Sequence, residues 1–252
     1  MSASGVAFVI PLYNHADTVA DVVGSARTLG WPVFVVDDGS TDGGLLRIPQ
    51  TDGVHVVRHS RNTGKGAALL TGMQAAAAAA DYAVTVDADG QHDPRDARRL
   101  VAAARAGGRP LVVGARSGMD GAHVPSSSRF GRAFSGFWVW ACGGPRVVDS
   151  QSGFRAYPIA ETLALRTRAR RFEFEVEVLV RARWAGIPVI ELPVSVTYPP
   201  SQERVSHFHR GWDSLRNAAT FSRLLILRAL LATTPRSTAP PRRIGGTRAG
   251  IR

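Results

Sequence analysis

Asp87 and Asp89 stand two residues apart behind the apolar residue Val86, with Ala88 between them and Gly90-Gln91 after them. Two carboxylates at that spacing past a strand end turn toward one hard cation when the intervening residue takes the bend. Carboxylate oxygens with water suit Mg²⁺ or Mn²⁺, and such ions usually hold substrate phosphates instead of sitting in an all-protein cage. The pair therefore implies a diphosphate ligand. Gln91 adds a neutral oxygen to the metal site, and Gly90 lets the backbone approach closely. Read alone, the same residues also describe a solvated Asp-rich turn.

Two further clusters carry complementary chemistry. Asp37 and Asp38 close the apolar run Val33 to Val36, and one of them pointing at the site accepts from a nucleobase N–H or from ribose hydroxyls. Asn62-Thr63-Gly64-Lys65-Gly66 opens a long helical pattern, so backbone N–H groups, a helix N-terminus and the Lys65 ammonium face a phosphate together. The full spacing of a P-loop is absent, which disfavours nucleoside triphosphate hydrolysis. His15, His55, His59 and His209 share no ligand spacing with one another.

The elements that must position these clusters are short apolar runs alternating with helical periods. Val6 to Pro11, Val33 to Val36, Val54 to Val57, Tyr82 to Val86 and Leu111 to Val113 read as buried strands. Ala16 to Leu29, Lys65 to Ala80 and Pro94 to Ala106 read as helices, the last opened by Asp93 as N-cap and Pro94 at the first helical position. This rhythm predicts an α/β fold, a mostly parallel central sheet with helices on both faces. Ligands of such sheets bind outside the carboxyl ends of the strands. Tyr13 to His15, Asp37 to Ser40, Asp87 to Gln91 and Gly114 to Arg116 all fall there, converging on one site.

Beyond residue 116 the pattern gives a helix from Arg129 to Ala141, the polar run Asp149 to Arg155 and a helix around Glu175 to Ala185. A strand Val189 to Val196, a polar loop Tyr198 to His209 and a helix Trp212 to Leu231 follow. Phe137, Trp138 and Trp140 on one helix read as core at their spacing, or else as the lining of a lipid groove. Glu173, Glu175 and Glu177 read as an exposed acidic face, although Glu175 is within reach of the site.

The chain of 252 residues has a net charge of +11, and Lys65 is its only lysine. The excess is C-terminal, ten arginines against Glu203 and Asp213 in residues 201–252. Such a segment meets anionic lipid headgroups or nucleic acid, or reflects compositional bias. A hydrophobic content of 44% with 20% charged residues excludes wholesale disorder and collagen-like composition. Cys142, the single cysteine, excludes a disulfide scaffold and a Cys-based zinc site, and fits a reducing compartment. No secretory signal opens the chain, and no stretch reaches the roughly 18 apolar residues of a spanning helix.

Taken together, Pro11-Leu12-Tyr13-Asn14, Val36 to Asp42, Asn62 to Gly66, Asp87-Ala88-Asp89-Gly90-Gln91, Gly114-Ala115-Arg116 and Asp149 to Arg155 resemble the ordered motifs of inverting family-two glycosyltransferases. The branch they look most like is that of dolichyl-phosphate or polyprenyl-phosphate mannosyl and glucosyl synthases. The resemblance spans roughly residues 5–215 and implies a GT-A fold that binds a UDP or GDP sugar through Mg²⁺ or Mn²⁺. By motif, Pro11, Tyr13, Asn14, Asp37, Asp38, Lys65 and Ala88 belong to the nucleotide-sugar site. Asp87, Asp89 and Gln91 would hold the metal, and Arg116 the donor phosphates. An Arg-x-x-Ser element, Arg132 to Ser135, would take an acceptor phosphate together with Arg129, Gln151, Arg204 and Ser206. On this basis residues 1–232 form one domain: a donor half over 1–116, an acceptor half over 117–211 and a C-terminal helix over 212–232. Residues 233–252 form a disordered basic tail.

A polyprenyl phosphate is ionised at pH 7 and attacks the anomeric carbon without a general base, whereas a hydroxyl needs one. Asp149 is the candidate base, or else it orients the turn that follows. Where the branch usually carries a phosphate-binding lysine, this chain has His207, which favours an alternative: transfer to a hydroxyl of another lipid or small molecule. The helix with Arg216, Arg223 and Arg228 among leucines suits peripheral contact with the cytoplasmic face of a membrane, and equally an ordinary packed helix. A basic nucleic-acid-binding protein is the remote alternative and leaves the Asp clusters unexplained; no nucleic-acid partner is expected.

Overall fold

A computed structural model describes residues 5–117, 126–197 and 210–233. Its centre is a seven-stranded sheet of β1 (Val6–Leu12), β2 (Val33–Asp37), β3 (Val54–Arg58), β4 (Tyr82–Thr85), β5 (Leu111–Arg116), β6 (Arg155–Pro158) and β7 (Val189–Val194), in the order β3-β2-β1-β4-β6-β5-β7. All pairings are parallel except those of β6, which runs antiparallel to both β4 and β5. That reversal matters for the site. The start of β6, preceded by Asp149 to Phe154, arrives at the edge where β1, β2, β4 and β5 end.

Alternation along the strands supplies two cores. Phe8, Ile10 and Leu12 of β1 pack with α1 (Val19–Arg27) and, beyond α2 (Gly44–Arg47), with α4 (Ala97–Arg105). Ala7 and Val9 face the opposite layer, built from α3 (Lys65–Ala76), α5 (Ser126–Ala141), α6 (Ile159–Ala164), α7 (Phe174–Trp184) and α8 (Arg210–Thr233). Asp93 caps a 3-10 turn at Pro94–Asp96 that leads into α4, accepting from the Arg95 N–H at 2.9 Å.

Several expectations change. β3 is not buried: in this edge strand Val54 and Val57 are half-buried and His55, Val56 and Arg58 are exposed. β6 has no counterpart in the sequence reading, because four residues ending in proline make no periodic run. α3 stops at Ala76, four residues short of the alanine run's end. The segment 198–209, with Arg204, Ser206, His207 and His209, and residues 234–252 lie outside the described residues.

α3 crosses the sheet at Gly72, where a Cβ would come within 2.3 Å of Val9 Cγ1. Gly72→Ala should therefore cost about 1–3 kcal/mol through overpacking, read as a lower urea midpoint with unchanged slope. A variant as stable as the parent would show that α3 moves freely on the sheet.

Candidate active site

A cleft of about 400 Å³ opens at the edge where the strands end, lined among others by Pro11, Tyr13, Asp38, Lys65, Asp87 and Ala88. Asn14 takes a left-handed conformation (φ 52°) that asparagine tolerates. It ties the loop after β1 to the loop after β2: its N–H donates to Ser40 Oγ at 3.1 Å and its Oδ1 accepts from the Thr41 N–H at 2.9 Å.

Strand alternation separates the neighbouring acids. Asp38 lines the cleft, whereas Asp37 turns away, accepting from the Ser40 N–H at 2.9 Å, with Arg58 Nε 3.3 Å from its other oxygen. Asp38 is itself engaged. Oδ1 accepts from the Thr63 N–H (2.9 Å) and hydroxyl (2.7 Å) and lies 2.7 Å from His59 Nδ1; Oδ2 accepts from the Gly64 N–H at 2.7 Å. A carboxylate offers about four acceptor positions, so Asp38 spends its capacity fixing the loop that opens α3.

At the other end of the cleft Lys65 Nζ lies 2.7 Å from Asp87 Oδ1 and 2.6 Å from Glu175 Oε1. Asp87 consequently sits below the usual carboxylate range, although burial works against this. Asp89 is pushed up to about 6, first by burial and then by the charge of Asp87; the Gln91 N–H, donating at 3.0 Å, only partly offsets this. Ala88 is buried between them, its carbonyl accepting from the Thr18 hydroxyl. Negative charge at Asp89 that the protein leaves undercompensated suits a divalent cation. No group of three His, Cys, Asp or Glu among the described residues forms a cage, so phosphate and water would complete the shell. Gln91 is half-buried, and its carbonyl accepts from the Thr197 N–H at 2.9 Å.

Arg116, at the end of β5, grips Asp149 with two side-chain bonds, Nε to Oδ2 at 2.6 Å and Nη2 to Oδ1 at 2.8 Å. Asp149 is wholly buried and held below the usual carboxylate range by Arg116, against its burial, with Arg132 adding to the effect. Ser135 of α5 accepts from the Ser150 hydroxyl at 2.9 Å, joining that helix to the same turn. Arg132 is half-buried, and its Nε has no hydrogen-bond partner among the described residues. Gln151 is half-buried on the same turn. The Arg129 side chain lies outside the described residues. Arg155, fully buried, fixes the turn by donating to the carbonyls of Ser152 (2.7 Å), Ser150 (2.9 Å) and Glu175 (2.9 Å).

Sequence reasoning missed two contributors. Arg171 and Phe172 line the cleft from the loop before α7, and Arg171 donates to Asn62 Oδ1 at 3.0 Å; nothing periodic marks this loop. The acidic face is overturned: Glu173, Glu175 and Glu177 are all buried. Glu177 lies 2.6 Å from Arg181 Nε and 2.9 Å from Arg223 Nη2, which ties α7 to α8. The aromatic core of α5 is overturned too, since Phe134, Phe137 and Trp140 are about half exposed and only Trp138 packs inward, on Phe221.

Residues 7–156 match the model of glycosyl transferase family 2. The chain belongs to this family. It is 28% identical over 242 residues to a UDP-N-acetylglucosamine–dolichyl-phosphate N-acetylglucosaminyltransferase of Methanococcus voltae, covering 87% of this chain and 94% of that one. It is 29% identical to a polyprenol monophosphomannose synthase of Mycolicibacterium smegmatis, covering 75% and 76%. Glucosyl-3-phosphoglycerate synthase of Mycobacterium tuberculosis, solved with Mg²⁺ and UDP, shares the fold at a TM-score of 0.64 and 22% identity, over 89% of this chain and 80% of that one. This family 2 member is thus a glycosyltransferase with the GT-A architecture.

Asp149→Asn removes the charge that holds Arg116 and leaves a buried amide against a guanidinium. Unfolding should become easier by about 3–5 kcal/mol at neutral pH. Because the folded-state value of Asp149 is depressed, its contribution exists above the ordinary carboxylate value of about 3.9 and is lost as pH falls below it. Urea titrations of both proteins should therefore keep a constant gap above about pH 4 and converge as the pH falls below it; a gap that stays constant below pH 4 would refute the charge-based account.

Proposed function

We propose that this glycosyltransferase moves a hexose, with inversion, from a nucleotide diphosphate sugar to a polyprenyl phosphate in a reaction that requires Mg²⁺ or Mn²⁺. The observation that carries this reading is the closed pair of Arg116 and Asp149 at the edge where the strands end. A hydroxyl acceptor needs a base, and the carboxylate best placed to serve is shut by two bonds to a guanidinium and held at low pKa. An ionised phosphate needs none. The names of the Methanococcus and Mycolicibacterium relatives support the same class of acceptor.

In this scheme the base and ribose occupy the end of the cleft at Pro11, Tyr13 and Asp38, with Asp38 acting through the loop it braces. The diphosphate lies toward Lys65 and Asp87. Asp87 and Asp89 would hold a divalent cation, which would supply charge stabilisation for the departing nucleoside diphosphate. Asp149 positions Arg116 toward the phosphates, and Arg132, with a guanidinium nitrogen unmatched among the described residues, takes the acceptor phosphate beside Ser135.

The lipid acceptor reaches the cleft from a membrane surface in this reading. Among the described residues no helix is long and apolar enough to cross a membrane. α5 instead exposes Phe134, Phe137 and Trp140, and the adjoining α8 exposes Trp212, Leu215, Ile226, Leu230 and Leu231. Arg146 lies over the Trp140 ring at 5.3 Å, the mix of ring and cation that suits an anionic interface. Contact would be peripheral, at the cytoplasmic face. Phe137→Ser with Trp140→Ser should cut co-sedimentation with phosphatidylglycerol vesicles about tenfold while leaving binding of UDP or GDP unchanged. Equal co-sedimentation would remove these aromatics from the interface.

The transfer assay offers radiolabelled UDP and GDP sugars, with Mn²⁺, to a short polyprenyl phosphate and to the matching polyprenol. Product from the phosphate alone, lost on chelation and in Asp89→Ala, is expected. Arg132→Ala should keep donor binding and lower transfer about a hundredfold. Product from the polyprenol would replace the base-free scheme.

A further inference from the structure

The scheme above gives Lys65 a phosphate to bind, yet its ammonium is already held between two acids. Nζ lies 2.7 Å from Asp87 and 2.6 Å from Glu175, and donates to the second Asp87 oxygen at 2.9 Å. Glu175 is buried in the first turn of α7, where the helix dipole favours its charge, and its carbonyl is fixed by Arg155. The turn before β6 seals the pair: a Cβ on Gly153 would lie 2.5 Å from Asp87 Oδ2 and 2.6 Å from Lys65 Nζ. A divalent cation landing on Asp87 therefore meets an ammonium on the same carboxylate. Two cations a few ångströms apart in a partly dry site repel strongly.

We propose that Lys65, carried by Glu175, is a resident counter-ion of Asp87 that keeps this carboxylate from a divalent cation until a nucleotide diphosphate arrives, so that cation and donor load together. The inference rests on the reading of Asp87 as a metal ligand. The diphosphate brings the anionic charge that draws the ammonium from Asp87, while Glu175 keeps hold of its other side. Linkage makes the effect reciprocal: the cation strengthens diphosphate binding by the factor by which the diphosphate strengthens the cation's. Lys65 is in this sense a positioning residue for the metal site, and Glu175 a positioning residue for Lys65.

The test is Mn²⁺ binding to the full chain, followed by electron paramagnetic resonance of the free ion, with and without UDP or GDP. The parent should bind Mn²⁺ weakly alone and at least about tenfold more tightly with the nucleotide. Lys65→Met combined with Glu175→Gln keeps the net charge, leaves no bare charge at position 175 and frees Asp87 alone. It should bind Mn²⁺ alone about tenfold more tightly than the parent and lose most of the coupling. Glu175→Gln alone should move the other way, weakening Mn²⁺ about threefold without nucleotide, because the ammonium then rests on Asp87 alone. A general loss of packing would weaken binding in both variants. Unchanged or weaker binding by the double variant, with coupled binding intact in the parent, overturns the counter-ion and leaves Asp87 as a ligand. So does unchanged or tighter binding by Glu175→Gln. A parent that takes up no Mn²⁺ even with UDP and GDP overturns the metal site as well.

Discussion

A carboxylate kept out of water at the end of a β-strand must be given a counter-charge or a set of donors, because leaving it bare costs several kcal/mol. This requirement organises the functional edge of the sheet. Asp38 receives backbone and hydroxyl donors from the start of α3, Asp87 receives Lys65, and Asp149 receives Arg116. Each bond joins segments far apart in the chain, so satisfying the acids also fixes the loops. Asp89 departs from the pattern. Its raised pKa records negative charge that the protein has not matched, which is where an external cation gains most.

The same rule explains what the sequence could and could not disclose. Clusters at the ends of β1, β2, β4 and β5 were legible because apolar runs place strand ends and a parallel sheet gathers them at one edge. Which of Asp37 and Asp38 faces the cleft was not legible, since it depends on the side of the sheet to which each strand position points. Glu175 and Glu177 look solvent-facing in a run where acids alternate with apolar residues. Their partners, Lys65 and Arg223, are distant in sequence, and only the assembled helical layer shows them to be buried ion pairs.

The aromatics of α5 fail in the opposite direction. Phe134, Phe137 and Trp140 have a spacing suited to packing, but spacing identifies a shared face without saying what covers it. Here α7 and α8 cover the side of Trp138 and Val139, and the remaining rings face outward. Burial of a helical stripe is a property of the neighbours. α8 is held by a buried glutamate on α7 and by Phe221 stacked on Trp138 of α5.

In the proposed reaction the pair of Arg116 and Asp149 lets charge select the nucleophile. A base that removes a proton from a hydroxyl must be free to receive it and must have a pKa near the working pH. The bidentate grip of Arg116 takes both oxygens of Asp149 and holds its pKa in the wrong direction for that task. The same grip presents a guanidinium at the end of β5, near the cations Arg132 and Lys65. Cations stabilise a phosphate nucleophile and a departing diphosphate alike, but they do nothing to deprotonate an alcohol. An acceptor that arrives already ionised is the one for which this arrangement needs no further group.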